Sequence, residues 1–223
     1  EHTDGYTVIA ECQTKGRGRR GRQWQSPFGS HIYLSQFRLI EDGLIAASGM
    51  SLAVGIAVMR ACNRFVNNGV ELKWPNDVLY SGKKLAGILV EAEGQSDGAC
   101  SLVIGIGVNF DMPAQSSEQI DQPWTDIRSI SRHTIDRSQL AAALLDEMEI
   151  VMNEYRENRL TNLVTEWNKH NAFKNRQVNL IGSNNVKQGR CLGIDSSGAL
   201  LLEDNESGQV QKIFGGEVSL RAN

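Results

Sequence analysis

VIAECQTKGRGRRGRQWQSPFG, residues 8–29, joins a β-rich run to a loop of glycine and arginine. Its centre, Gly16 to Gly21, has the G-x-G-x-x-G spacing of a dinucleotide-binding turn, but the variable positions are arginines. Five basic residues, Lys15, Arg17, Arg19, Arg20 and Arg22, fall within eight. A dinucleotide fold needs a strand, the glycine turn, a helix opening at the last glycine, and an acid about twenty residues on. The strand is present, and Glu41 or Asp42 stands at a suitable distance. The helix has no room: residues 22–30, RQWQSPFGS, hold Pro27 and Gly29 and run straight into the next strand. The doubly wound reading fails there.

Five crowded cations repel one another unless an anion joins them. An arginine–glycine tract for nucleic acid sits in repetitive sequence or beside a basic surface, and neither is found. Net charge is −3, and without residues 15–22 the chain has 18 Lys and Arg against 26 Asp and Glu, a balance of −8. One cationic loop on an acidic chain suits a compact anionic ligand better than a polyanion.

The 223 residues allow one large domain, or a medium and a small one, and 22% charged residues is ordinary for a soluble globular protein. The most apolar run, residues 43–65, is broken by glycine and serine and carries Arg60 and Arg64, so it reads as buried helix rather than a membrane span. Cys12, Cys62, Cys100 and Cys191 are widely spaced without a C-x-x-C pair, which argues against a zinc site or disulfide framework and fits a reducing cytosol. The chain opens without methionine just before a strand, as expected of a piece that begins inside a longer protein.

Strands are expected over 6–12, 31–39, 70–73, 76–80, 84–94 and 99–110, with a helix over 43–67. Turn signals at 80–84 and 94–98 make the later strands a meander, hence a mixed or antiparallel central sheet covered by helices. Residues 111–123 read as a mobile polar loop. Asp136 and Gln139 form a capping box before a helix with Leu140, Leu144, Leu145, Met148 and Val151 on one face, and a second helix follows near 160–170. Beyond Phe173, five short strands divided by turns at 182–185, 195–198, 204–208 and 215–216 suggest a small β-barrel.

GRGRRGRQW (16–24), KWPND (73–77), KKLAGILVE (83–91) and IGIGVNF (104–110) occur in that order, followed by Trp124, the long helix and GGEVSLR (215–221). Together they closely resemble the biotin protein ligases over nearly the whole chain. The resemblance implies an α+β fold similar to class II aminoacyl-tRNA synthetases over residues 1–173 and a small C-terminal β-barrel over 174–223. It also implies the chemistry: biotin and ATP give biotinyl-5′-AMP, and a lysine of a biotin carboxyl carrier protein then attacks the mixed anhydride. ATP with Mg²⁺, a cytoplasmic location and no membrane or DNA contact from these residues are further implications, with a homodimer left open. Two rival readings are a lipoate–protein ligase, which shares the fold, and a regulatory module that senses biotinyl-AMP. Family members carry a further helix and a Ser/Thr-Asn-type segment before the first strand read here, and some add an N-terminal winged helix.

The residue types suit this chemistry. Bringing a carboxylate to a polyphosphate opposes like charges by about 4 kcal/mol per pair at about 4 Å and an effective dielectric of about 20. Fixed cations and N–H donors offset that repulsion. By resemblance, Gln13, Gly16, Arg17, Gly18 and Arg19 contact or shape the biotin site, with Gly87, Leu89, Gly105 and Gly107 beneath it. Arg17 and Arg19 also reach the adenylate phosphate, Asn109 and Trp124 hold adenine, and Lys84, preferred over Lys83, bridges carboxylate and α-phosphate. Arg20 and Arg22 face solvent, diphosphate or a partner subunit, and Trp74 and Pro75 are architectural. Asp77 is assigned to orienting or deprotonating the incoming lysine, from its place in WPND alone, and no residue is assigned as a metal ligand.

Overall fold

The structure, a computed structural model, describes residues 3–41, 43, 47–94, 98–117, 120–182, 186–215 and 219–222. Short apolar runs rich in Val, Ile and Leu form β1 (Thr7–Ala10), β2 (His31–Ile40), β3 (Val70–Lys73), β4 (Asp77–Tyr80), β5 (Lys83–Gly94) and β6 (Cys100–Asn109). They form one sheet in the order β1-β2-β6-β5-β4-β3. Every pairing of these strands is antiparallel, which settles the mixed-or-antiparallel expectation.

One face of the sheet carries α1 (Met50–Asn63), which is buried almost all round by its Ala, Val, Ile and Met side chains. Of the helix expected over 43–67, residues 50–63 form α1, and residues 44–46 lie outside the described residues. Gly49 adopts a left-handed conformation at φ 84° immediately before α1, and Asn68 and Gly69 are left-handed after it, so the chain turns at both ends. Two one-turn helices, α2 (Ala114–Ser117) and α3 (Ile127–Ile130), follow the sheet, the first inside the stretch read as a loop. The capping box opens α4 (Arg137–Asn158): Asp136 accepts from the Ser138 N–H and Gln139 reaches back to the Asp136 N–H. α4 buries Leu140, Leu144, Met148 and Val151 as its periodicity predicts, while Leu145 is exposed.

α5 (Val164–Lys169) completes the helical layer. Arg60 of α1 ties the three helices together, donating twice to Glu166 at 2.9 and 2.5 Å and to Glu154 at 3.1 Å. These carboxylates push the Arg60 guanidinium further up from its already high range.

The C-terminal strands are β7 (Gln177–Ile181), β8 (Val186–Ile194), β9 (Leu200–Asp204), β10 (Val210–Ile213) and β11 (Ser219–Ala222). The five expected strands are present, in the antiparallel order β10-β9-β8-β7-β11. Among the described residues no pairing joins β10 to β11, so these pairings give a five-stranded antiparallel sheet without the closure of the expected barrel. The turns expected at 94–98, 182–185 and 215–216 lie partly outside the described residues.

The two sheets share one continuous apolar core, which takes in Trp74 and Trp167 together with Leu200, Leu202 and Leu220. Trp74 Nε1 donates to Gly198 O at 3.1 Å. Asn168 of α5 completes a pair with the β8 backbone, donating to Ile194 O at 2.9 Å and accepting from Ile194 N at 2.8 Å. Glycine is required opposite it, since Gly193 has φ +129° and a Cβ there would lie 2.3 Å from Asn168 Oδ1. Asn168→Ala strips partners from both backbone groups of Ile194 and is expected to cost about 2 kcal/mol. A lowered urea midpoint at unchanged m-value is the expected observation, and an unchanged midpoint would contradict the tie.

Candidate active site

The arginine loop is itself a small hairpin. Trp24 N donates to Gly16 O at 3.0 Å, Gly18 N to Arg22 O at 2.7 Å, and Arg17 bridges Gln23. A single 3₁₀ turn, Arg19–Gly21, forms the tip, with Arg20 left-handed at φ 61°. This geometry faces Arg17 and Arg19 towards the sheet. Arg17 Nη2 meets Glu91 Oε2 of β5 at 2.6 Å, an exposed pair, and Arg19 Nη1 donates to Asn76 Oδ1 at 3.0 Å. Burial pulls the Arg19 guanidinium down from its ordinary value, and Asp77 opposes that shift. Arginine's high reference value keeps it cationic near neutrality.

Under the hairpin, β5 and β6 pair Gly87 with Gly107 and Leu89 with Gly105. Directly opposed residues share a sheet face, so two facing glycines leave a trough where side chains would stand. Trp24 lies over it. A Cβ on Gly107 would sit 2.5 Å from the Trp24 indole, and one on Gly87 would sit 3.0 Å from it. The trough continues as a cavity of about 250 Å³ lined by Gln13, Arg19, Trp24, Lys84, Leu89 and Gly105 among others. Arg17, Gly18, Gly87 and Gly107 also border it. Gly16 lies outside this lining. It is packed inside the hairpin, where a Cβ would meet Trp24 O at 2.5 Å.

A second cavity, about 440 Å³, lies on the other side of Trp24 and Lys84 and is bordered by Asn109, Met112, Trp124 and Arg221. Lys84 joins the two spaces through its backbone as well as its side chain. Lys84 N donates to Pro123 O and Thr125 N donates to Lys84 O, both at 2.9 Å, which docks the Trp124 segment against β5. Asn109 Nδ2 donates to Lys84 O at 3.3 Å and to Thr125 O at 3.1 Å. That amide is therefore held by protein carbonyls as well as bordering the cavity.

Lys84 Nζ is 2.6 Å from Asp77 Oδ1 and 5.4 Å from the Trp24 ring centre, whereas Lys83 is exposed. Asp77 Oδ2 is 3.3 Å from Lys73 Nζ, so the carboxylate sits between two ammonium groups. Burial works against the Asp77 charge, but Lys84 and Lys73 outweigh it and hold the carboxyl below its usual range. Burial likewise pulls Lys73 down, against the opposing pull of Asp77.

The structure thus brings Gln13, Arg17, Gly18, Arg19, Lys84, Gly87, Leu89, Gly105, Gly107, Asn109 and Trp124 around two adjoining spaces, while Asp77, Gly16, Arg20 and Lys83 border neither. It adds Trp24, Asn76, Glu91, Lys73 and Arg221. Trp24 ends the arginine motif and faces paired glycines, a signal that becomes readable only once the β5–β6 register is known. Among the described residues, no group of three or more His, Cys, Asp or Glu could hold a metal ion, and no helix is long and apolar enough to cross a membrane.

Two adjoining cavities thus lie on an antiparallel sheet beneath a cationic hairpin, in a chain that ends in a C-terminal β-lobe. Residues 1–109 match the Biotin/lipoate A/B protein ligase family and residues 174–221 the Biotin protein ligase C terminal domain. The chain is 40% identical, over its whole length and 68% of the relative's, to the bifunctional ligase/repressor BirA of Escherichia coli (strain K12). It is 37% identical to the biotin--[acetyl-CoA-carboxylase] ligase of Mycobacterium tuberculosis, over 69% of this chain and 56% of that protein. The biotin protein ligase of Aquifex aeolicus, solved in complex with biotin and ATP, superposes with a TM-score of 0.82 at 26% identity, covering 100% of this chain and 91% of that one. The chain belongs to the biotin protein ligase family.

Gly107→Ala places a methyl group inside the Trp24 indole without disturbing the helical core. Biotin affinity is expected to fall about tenfold or more, equivalent to about 1.4 kcal/mol, with the melting temperature nearly unchanged. Calorimetric titration with biotin checks this, and wild-type affinity would remove the trough from the site.

Proposed function

We propose that the 250 Å³ trough takes biotin and the adjoining 440 Å³ cavity the adenosine of ATP, with Lys84 at their junction. The carrying observation is that Lys84 borders both spaces, with its ammonium group fixed by Asp77 at 2.6 Å. The reaction is ATP-dependent activation of biotin to biotinyl-5′-AMP, followed by transfer to a lysine of a biotin carboxyl carrier protein. In the first step a biotin carboxylate oxygen bonds to the α-phosphorus, the bond to the bridging oxygen breaks, and pyrophosphate leaves. Lys84 and Arg19 oppose the charge that accumulates as the two anions meet. Gln13, which borders the trough, takes the polar ring of biotin, and Arg17 exchanges Glu91 for a ligand oxygen. In the second step the neutral acceptor amine bonds to the acyl carbon, AMP leaves with the bridging oxygen, and the amine sheds its proton.

Asp77 serves this scheme best as the group that positions Lys84. A buried carboxylate held by two lysines, with its proton affinity depressed, is a poor base for an incoming amine. Trp124 supplies a stacking face for adenine, and Arg221 brings the C-terminal lobe to the phosphates. Mg²⁺ would come with ATP, held by the phosphates rather than by a dedicated protein cage. Two finer points of architecture belong to the same reading: likeness of the main sheet to class II aminoacyl-tRNA synthetases, and closure of the C-terminal strands into a barrel. A division at 173/174 is supported by the C-terminal family match beginning at residue 174.

The decisive assay incubates the chain with ATP, a carrier protein and either biotin or lipoate. Streptavidin-reactive carrier with biotin, and no lipoylated carrier, is expected. Lipoate transfer would favour the sister ligase, and adenylate formation without transfer would favour a sensing module. Arg19→Ala and Lys84→Ala are each expected to lower ATP–pyrophosphate exchange about a hundredfold. Asp77→Asn separates the two roles of that residue: as a positioning group its loss slows pyrophosphate exchange, whereas a base acting only on the acceptor would leave exchange intact and slow transfer alone.

A further inference from the structure

His31 opens β2 fully buried, with 0% of its surface exposed, and is not among the residues that border either cavity. A buried imidazole needs partners, and its partners all lead in one direction. Nδ1 lies 3.0 Å from Phe110 N and 2.7 Å from Ser30 O. The lone pair of a neutral ring can take the first contact, or a proton there can take the second. With Nδ1 protonated, Ser30 O gains a second donor beside Asp111 N at 2.9 Å and the Phe110 N–H loses the ring as acceptor. With Nδ1 as acceptor, the Phe110 N–H is partnered and the ring nitrogen opposes Ser30 O at 2.7 Å, the arrangement that keeps both backbone N–H groups bonded. Burial pushes the ring's proton affinity down, in keeping with a neutral imidazole. Nε2–H then points at Met112 Sδ, 3.4 Å away.

Met112 is held from its other side too. Its N–H donates to Asp126 Oδ2 at 3.0 Å, and Asp126 Oδ1 accepts from Ser129 N at 2.8 Å at the start of α3. Met112 borders the 440 Å³ cavity opposite Trp124, so the His31 ring and Asp126 grip one wall of that space between them. The Phe110 N–H held by Nδ1 follows Asn109, whose side chain holds the Trp124 segment through Thr125 O. His31 therefore braces both the Met112 wall and the start of the segment that carries Trp124.

We propose that His31 is a positioning residue for the nucleotide half of the site, fixing Phe110 and Met112 so that the cavity is formed before ATP arrives. The proposal rests on assigning the 440 Å³ cavity to adenosine. His31 touches no substrate. Its effect falls on ATP and spares biotin, because the biotin trough lies beyond Trp24, against β5 and β6.

Pyrophosphate exchange, with each substrate varied in turn, and biotin binding without nucleotide test this on three variants. His31→Phe fills the volume but has no acceptor for Phe110 N–H, and is expected to raise KM for ATP about tenfold while the biotin dissociation constant stays fixed. His31→Asn can place Oδ1 where Nδ1 stood, and is expected to recover most of that loss. Met112→Ala, which tests the wall even if His31→Phe does not fold, is expected to raise KM for ATP as well. An equal loss for both substrates, an unchanged KM for ATP in Met112→Ala, or an Asn variant no better than Phe would overturn the proposal. Trp124→Ala separates it from its premise. Unchanged KM for ATP there shows that the cavity is not the nucleotide site, whereas a raised value beside an unaffected His31→Phe defeats the His31 role alone.

Discussion

Glycine opposite glycine on neighbouring strands is the constraint on which this site depends. Where β5 and β6 pair Gly87 with Gly107, the sheet forgoes side-chain volume on one face. Packing there has to come from elsewhere, since an unfilled trough beside an apolar core loses contacts on one side. Trp24 supplies part of the filling, and the space it leaves is the cavity. The opposite face of the same strands is ordinary core: Ile88, Ile106 and Val108 are almost wholly buried. One pair of strands therefore carries the fold on one face and the ligand space on the other.

Charge is arranged on the same plan. Lys84, Asp77 and Lys73 form a half-buried alternating set whose balance is one positive charge, held close to the trough. Removing one member of such a set leaves another buried and uncompensated, which is why geometry and charge cannot be altered separately here. The arginine hairpin adds cations from above, and its pairs with Glu91 and Asn76 hold it over β5 and the Trp-Pro-Asn turn. Both Arg17 and Glu91 are substantially exposed, so that pair contributes little to stability and can exchange partners readily.

Much of this was legible in the sequence because local signals agreed with the global fold. The meander of β3 to β6 followed from short apolar runs bounded by turn residues, and the α4 capping box from Asp136 and Gln139 alone. The charge contrast between residues 15–22 and the remainder marked this loop as a candidate anion site, and the structure folds it into a hairpin over β5. The misses arose where spatial neighbours are distant in sequence. Trp24 and Gly107 are brought together by strand order and register, and Arg221 reaches the second cavity from the last strand. The start of α1 is set by the left-handed Gly49, a break that apolar composition alone does not mark. The C-terminal strands were countable from their turns, but whether a five-stranded layer closes depends on its edge pairing, which turn residues do not encode. Asp77 shows the same limit: its place in WPND marked it for attention, but only its distances to two lysines reveal how it is engaged.

The central claim is that biotin occupies the glycine trough and that adenosine has a separate place beyond Trp24 and Lys84. Amide and indole chemical-shift mapping with biotin alone tests it most directly. The account predicts shifts at Gly87, Gly105, Gly107 and the Trp24 indole, with Trp124 and Arg221 responding only when ATP is added. Biotin-induced shifts centred on Trp124 and Arg221, with the β5 and β6 glycines unmoved, would contradict it.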